Sequence, residues 1–356
     1  MLTSKKHTSF WVFPLFIVLL AVFFYFKPES FDKKNQTFTE NQDAAHVIRI
    51  ASPDLSASKN NSTANALVDH VYLNKILEKE FSKENIKVEW NFFKGAGPAI
   101  NEALANKQID IAYLGDLAAI IGKSNGLDTK IIAATGRNNP SYLGVLPNKG
   151  YDSLEKLKGK QIGVWQGTAY QLSFNKFLKS QGYRPEDFRI VNLDTSAANA
   201  ALAAKKIDAT WGLIPVLALK KKGLAEVPLS THTNKDGSGT MQSVFIARTA
   251  FLQENPALAQ KFSDILVDSY QWIAKEENRE QTVNQVTNNA GFPKDLYEEN
   301  IKNLALKDIY SPDLDPYFKA HLKTGIEEAL DAKLIQKNIN IEEWVDDQLI
   351  KKSLNR

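Results

Sequence analysis

One passage of this chain is written twice. Residues 101–115 read NEALANKQIDIAYLG, and residues 199–213 read NAALAAKKIDATWGL. Asn101/Asn199, Ala103/Ala201, Leu104/Leu202, Ala105/Ala203, Lys107/Lys205, Ile109/Ile207 and Asp110/Asp208 coincide. Each copy reads as the end of an amphipathic helix, a polar turn and a short apolar strand. Either two common helix-to-strand passages happen to match, or the chain is built from two similar α/β lobes. A length of 356 residues suits two domains, and an apolar fraction of 43% supplies a core for each.

Between the copies, strand and helix patterns alternate. AAHVIRIASPD is a strand ending at Pro53 and Asp54, and a helix is expected from Thr63 to about Phe81. IKVEWNFF alternates as a strand does and ends in KGAGP, with Pro98 in the first turn of the next helix. Asp116 reads as the N-cap of a helix through Leu117–Ile121. TKIIAAT and YLGVLPN are further strands. LKGKQIGVWQG follows, then a helix capped by Thr168, the strand FRIVNLD, and a helix capped by Thr195 or Ser196. LAEVPLS and TMQSVFIAR are late strands around the loop HTNKDGSG. From Thr249 on the pattern is helical, with Pro256 at one helix start. Such alternation predicts a mostly parallel α/β sheet in each lobe.

The N-terminus reads as an address. Lys5 and Lys6 precede an uncharged apolar run from Phe10 to Phe26. A basic start and an apolar run mark export. The bulky Phe23, Phe24, Tyr25 and Phe26 offer no small-x-small cleavage site. Residues 1–26 are thus a signal peptide or a retained anchor, and residues 27–43 a polar linker. The body then divides into 44–138 plus 240–356 as lobe 1 and 139–239 as lobe 2.

The formal charge of +3 gives no reason to expect a nucleic-acid partner. The absence of cysteine removes disulfides, thiolate metal sites, cysteine nucleophiles and an acylated-cysteine anchor. The five histidines are scattered without zinc-site spacing, so no metal or cofactor is expected. No Gly-x-Ser-x-Gly, P-loop or Gly-x-Gly-x-x-Gly is present.

In open α/β sheets, ligands bind beyond the carboxyl ends of the strands. That rule selects the turns Ser52–Asp54, Lys94–Pro98, Gly115–Asp116, Gln166–Ala169 and Thr210–Pro215. Three of them place glycine directly before a helix start, where free N–H groups and the helix dipole favour an anion. The candidate ligand residues are Ser52, Pro53, Asp54, Gly95, Ala96, Gly97, Gly115, Asp116, Gln166, Gly167, Thr168 and Ala169. Trp211 is either a core tryptophan or an apolar wall for a ligand, and Ser243 completes the set. Asp54 and Asp116 are helix caps or, alternatively, partners of an ammonium group. Lys94 is a solvated lysine or a cation for the ligand.

The segments FFKGAGPAINEALANKQIDIAYLGD, LKGKQIGVWQGTAYQLSFNKFLKSQG and IVNLDTSAANAALAAKKIDAT resemble the periplasmic substrate-binding proteins of ABC importers for aliphatic sulfonates, taurine and nitrate. Gly95–Pro98, Gly115–Asp116 and Gly167–Ala169 are the counterparts of that family's motifs, and the resemblance covers roughly residues 46–266. It implies a type II binding protein with two lobes about a two-stranded hinge, closing on a ligand, plus a helical C-terminal tail. It also implies that the named turns line the cleft. One departure stands out. Where the family shows Trp-Asp-Pro-Tyr, this chain has Leu213 to Val216, keeping only Pro215, which counts against taurine and short alkanesulfonates. Enzymes on the same fold depend on cysteine, which this chain lacks. The resemblance therefore implies a monomeric, non-enzymatic periplasmic protein, free or tethered by residues 10–26, which passes a small anion to an ABC permease in the inner membrane. The alternatives are a hydrolase using Asp54 or Asp116 as base, and a tethered sensor without a permease.

Overall fold

A computed structural model describes residues 46–56, 59–232, 234 and 236–356. The export segment and linker expected at residues 1–43 lie outside these residues.

The strands are β1 (His46–Pro53), β2 (Ile86–Phe93), β3 (Ile111–Gly115), β4 (Thr129–Asn139), β5 (Tyr142–Val145), β6 (Gln161–Val164), β7 (Arg189–Asn192), β8 (Ala209–Gly212), β9 (Glu226–Ser230) and β10 (Met241–Arg248). The helices between the strands are α1 (Ala66–Leu73), α2 (Ile76–Ser82), α3 (Ala96–Ala105), α4 (Asp116–Ser124), α5 (Ala169–Ser180), α6 (Thr195–Ala203) and α7 (Ile214–Lys221). After β10 come α8 (Thr249–Glu254), α9 (Pro256–Ile273), α10 (Arg279–Ala290), α11 (Lys294–Asn300), α12 (Leu306–Ile309), α13 (Pro316–Asp331), α14 (Ile341–Trp344) and α15 (Gln348–Leu354).

Two five-stranded sheets result, ordered β2-β1-β3-β10-β4 and β7-β6-β8-β5-β9. In the first, β1 runs parallel to β2 (His46 opposite Ile86) and to β3 (Ile50 opposite Ile111). The strand β10 runs antiparallel between β3 and β4. In the second, β6 is parallel to β7 and β8, and β5 is antiparallel to both β8 and β9. Both sheets are thus mixed, each mostly parallel with a single reversed strand, and their strand orders correspond place by place.

The repeated passage occupies the same station in both sheets. Lys107 and Lys205 take left-handed φ values of 56° and 58° where each helix ends. The Asp110 carboxylate then accepts the Arg49 amide at 2.9 Å, and the Asp208 carboxylate accepts the Gln161 amide at 2.9 Å. Each aspartate thereby pins the start of its own strand to the backbone of the neighbouring parallel one. The two copies match because they solve one local problem twice.

Three boundaries differ from the sequence reading. The helix expected from Thr63 to Phe81 breaks at Lys75, whose φ is 52°, leaving α1 and α2. The caps are Asn65, which accepts the Val68 amide at 3.1 Å, and Asp194, which accepts the Ala197 amide at 2.8 Å in place of Thr195 or Ser196. A cap residue must be extended while its oxygen reaches a helical amide, and Asp194 has that backbone.

The helices after β10 are less a tail than a wall of the first lobe. Trp344 and Ile350 are fully buried in the same core as Ile48, Ile50 and Phe245. Each such side chain contributes on the order of 1.5–3 kcal/mol. Between the sheets the chain crosses twice, side by side: the Thr231 amide donates to the Ser141 carbonyl at 2.9 Å, and the Ser141 amide to Thr231 Oγ1 at 2.8 Å. The helix α13 lies across both lobes. A β-carbon on its Gly325 would stand 3.2 Å from Leu172 of α5 and 3.5 Å from Ile120 of α4.

Candidate functional site

The starts of three helices meet where the lobes face each other. A β-carbon built on Gly115, at the end of β3, would lie 2.7 Å from the β-carbon of Ala169, the first residue of α5. One built on Gly167 would lie 3.3 Å from Cγ of Pro98 in the first turn of α3. Backbone comes this close only where a side chain is missing. The turns Gly95–Pro98, Gly115–Asp116 and Gly167–Ala169 therefore share one seam, and α3, α4 and α5 point their positive ends at it.

Asp116 is buried at this seam. Gly115 occupies the cap position and Asp116 is the first helical residue, so the expected N-cap is displaced by one. Asp116 Oδ1 accepts the Leu117 amide at 2.8 Å, and the Gln242 amide donates to the same carboxylate. Burial pushes the Asp116 carboxyl up to about 6, against the pull of the Lys176 charge and these donors.

Ser52 and Pro53 close β1, with Ser52 Oγ donating to the Pro53 carbonyl at 3.0 Å. Asp54 caps no helix. Its carboxylate accepts the Ser56 hydroxyl at 2.7 Å and pairs with Lys94 Nζ at 2.8 Å. Burial raises its pKa, but the Lys94 ammonium and the Ser56 and Ser62 donors outweigh burial and hold it below the usual carboxylate value. Lys94 is thus the partner of Asp54, with a side chain 78% exposed.

Other expected residues have structural duties. Gly95 caps α3, and Ala96 carries a left-handed φ of 49° beside it. A β-carbon on Gly97 would stand 2.2 Å from that of Ala118, so this glycine lets α3 pack on α4. Trp211 lies in the core of the second sheet, stacked on Phe177 at 4.8 Å with its indole N–H donating to Ser173 Oγ at 3.0 Å. Its ring is buried in that core. Ser243 Oγ accepts a hydrogen bond from Thr135 Oγ1 at 2.9 Å inside the first lobe.

Thr168 caps α5 as expected, accepting the Tyr170 amide at 3.3 Å. The Gln166 amide donates to Asn192 Oδ1 at 3.0 Å, and the Gly167 amide to Gln171 Oε1 at 2.8 Å. Those two N–H groups are therefore satisfied within the second lobe, and the turn offers an anion fewer donors than the glycine pattern suggests. Gln166 also lines a cavity of about 260 Å³ with Val164, Phe174 and Phe188, all second-lobe residues.

Two residues at the seam escaped the sequence reading. Lys176 is 8% exposed and Gln242 1% exposed, and among the described residues no hydrogen-bond partner meets Lys176 Nζ or either side-chain amide atom of Gln242. The readable signal was polarity out of place: Lys176 is one helical turn from Leu172 and beside Phe177, and Gln242 is the second residue of a largely apolar strand.

Behind β1, Asp69 is fully buried and accepts Ser62 Oγ at 2.5 Å and the Thr63 amide at 2.8 Å. Burial nevertheless pushes its carboxyl up to about 6. A folded-state pKa above the unfolded value means stability is full below about pH 4 and declines as pH rises through about 6. Asp69→Asn keeps one of the two acceptor oxygens, a loss that does not vary with pH, and removes the titration. Urea unfolding from pH 4.5 to 7.5 is expected to show the variant gaining about 2 kcal/mol on the parent across that range and levelling off above it. A constant difference would show that Asp69 does not titrate there.

Comparison with known proteins adds to this geometry. A family model described as NMT1/THI5 like matches residues 80–279. A putative binding protein of Brucella abortus strain 2308 is 26% identical over 208 residues, covering 58% of this chain and 63% of that protein. The match thus spans less than two thirds of that relative. The taurine-binding periplasmic protein of Escherichia coli strain K12 is 26% identical over 211 residues, covering 56% of this chain and 65% of that protein. Among solved structures, a putative periplasmic sulfonate-binding protein of an ABC transporter, SsuA from Methylobacillus flagellatus KT, superposes with a TM-score of 0.75 at 27% identity, over 87% of this chain and 94% of that one.

Proposed function

This chain belongs to the NMT1/THI5-like family, and from that premise we propose that it is an extracytoplasmic solute-binding protein that captures a small organic anion, a sulfonate or related organosulfur compound, for an ABC transporter. The observation that carries the reading is the seam itself: three helix starts from two lobes converge on one place, with the lobes in contact at Gly115 and Ala169. Each helix end offers an anion about 0.3–1 kcal/mol when exposed and about 2 when partly buried. The names of the relatives support the same class of cargo, and both the taurine-binding and the sulfonate-binding protein are periplasmic by name. Delivery to an inner-membrane permease, a monomeric state, and tethering through residues 10–26 belong to this proposal. So does the division into lobes at 138/139 and 239/240.

Titration calorimetry with a panel of sulfonates and carboxylates tests the cargo. At least one sulfonate is expected to bind with micromolar affinity or better, on the order of 8 kcal/mol. Silence across the organosulfur members would reject the class. The enzymatic alternative has one specific support, the buried Asp116 with its raised pKa. Mass spectrometry after incubation separates the two readings, because a binding protein returns its solute unchanged.

A further inference from the structure

Lys176 and Gln242 both act on Asp116, from opposite lobes. Gln242 precedes Ser243, which pairs with Gly115 across the β10–β3 ladder, so Gln242 stands opposite Asp116 at the start of α4. Lys176 comes from α5, whose first residue touches Gly115. A long side chain on a helix leans toward the helix N-terminus, here the end that meets the seam. The Lys176 charge acts on Asp116 from that position, and on Glu328 and His321 of α13.

Both side chains have hydrogen-bonding capacity that nothing among the described residues uses. Among the described residues, Lys176 Nζ is a buried donor without a partner, and Gln242 Oε1 and Nε2 are a buried acceptor and donor without partners. Leaving such groups unmatched is costly, most of all for an ammonium. The neighbouring carboxylates do not meet the need by contact. Asp116 is held by two backbone amides, and Glu328 is paired with Lys179 at 3.0 Å.

We propose that Lys176 and Gln242 contact the captured solute and seat one singly charged oxyanion group at the start of α4, with Asp116 limiting the accepted charge to one. This rests on the solute-binding reading above. The charge count gives the limit. Lys176 and Asp116 offset each other, and the positive ends of α3, α4 and α5, about half a charge each, balance one further negative charge but fall short of two. A second negative charge would sit unbalanced in a dry seam, where electrostatic costs are high.

The test uses the full chain with methanesulfonate, propane-1-sulfonate, benzenesulfonate and sulfate. Calorimetry of the parent is compared with Lys176→Met and Gln242→Met, and the melting temperature of each is taken without solute. The parent is expected to bind a sulfonate, and sulfate about 100-fold more weakly or not at all. Lys176→Met is expected to lose about 10- to 100-fold in affinity. Its solute-free melting temperature should equal or exceed the parent's, because an unmatched buried charge has gone. Gln242→Met should follow the same pattern with a smaller loss of affinity. Unchanged affinity in Lys176→Met overturns the proposal. A lowered solute-free melting temperature does too, since it makes Lys176 a structural brace. Sulfate binding as well as the sulfonates overturns the one-charge limit. Silence of the parent toward every probe rejects the solute class itself, a different failure from binding that survives in Lys176→Met.

Discussion

Replacing Gly115 by valine is expected to weaken solute binding by about 100-fold or more while both lobes stay folded. The backbone of Gly115 is extended, with φ −69° and ψ 152°, which valine adopts without strain. Within its own lobe, no neighbour is the nearest obstacle to a side chain at this position; the three nearest atoms all belong to Ala169 of the second lobe. A β-carbon at 2.7 Å from the Ala169 β-carbon cannot be accommodated, and valine adds two more methyl groups toward the same place. The cheapest relief is for the lobes to stand apart. Binding that requires closure then loses affinity in proportion to the lost closed population, so a hundredfold fall in that population raises the apparent Kd a hundredfold. Gly115→Ala should give a smaller loss. Calorimetry with the tightest-binding sulfonate reads the affinity, and small-angle scattering reads the separation. Undiminished binding by Gly115→Val would mean that this contact does not form in the liganded protein.

Gly97→Leu is expected to fail differently, lowering the stability of the first lobe by about 3 kcal/mol or more. Here the obstacle is Ala118 of α4, in the same lobe, at 2.2 Å. Lobe opening cannot relieve it. The helices α3 and α4 must separate, and with them the packing of Ile100 and Leu114. Overpacking of this kind forces backbone shifts, because protein interiors have little free space. Urea unfolding gives the loss, and the companion variant Ala118→Gly in the Gly97→Leu background should recover part of it. If Gly97→Leu instead keeps parental stability and loses only binding, the role in helix packing assigned above is wrong. The two glycines look alike in the chain, each near a helix start, yet one keeps two lobes in reach and the other keeps two helices together.

The fold was largely legible. Every strand read from apolar alternation exists, Thr168 caps its helix, and Pro256 starts one. The repeat spoke truly because its content is local: a helix end, a left-handed lysine and an aspartate reaching one strand across. The helix break at Lys75 was less legible, since the apolar rhythm runs on through it and only the tertiary fit of α2 against β2 demands the turn.

The site divided along another line. That Gly95–Pro98, Gly115–Asp116 and Gly167–Ala169 lie at strand ends followed from alternation alone, and their convergence agrees with it. The partners of the polar groups did not follow. Asp54 with Lys94, Gln171 with the Gly167 amide, and Trp211 with Ser173 are pairings that residue type leaves open.

What the chain determined by itself is whatever a window of some ten residues contains: periodicity, caps, turns, and the equivalence of two copies of one passage. Backbone hydrogen bonding and side-chain spacing act over that range. Only the tertiary structure decided which glycine touches the other lobe, which lysine is buried, and which amide remains unmatched. Those outcomes depend on the simultaneous packing of α4, α5, β10 and α13, segments drawn from positions 116 to 331, and no local stretch carries that information.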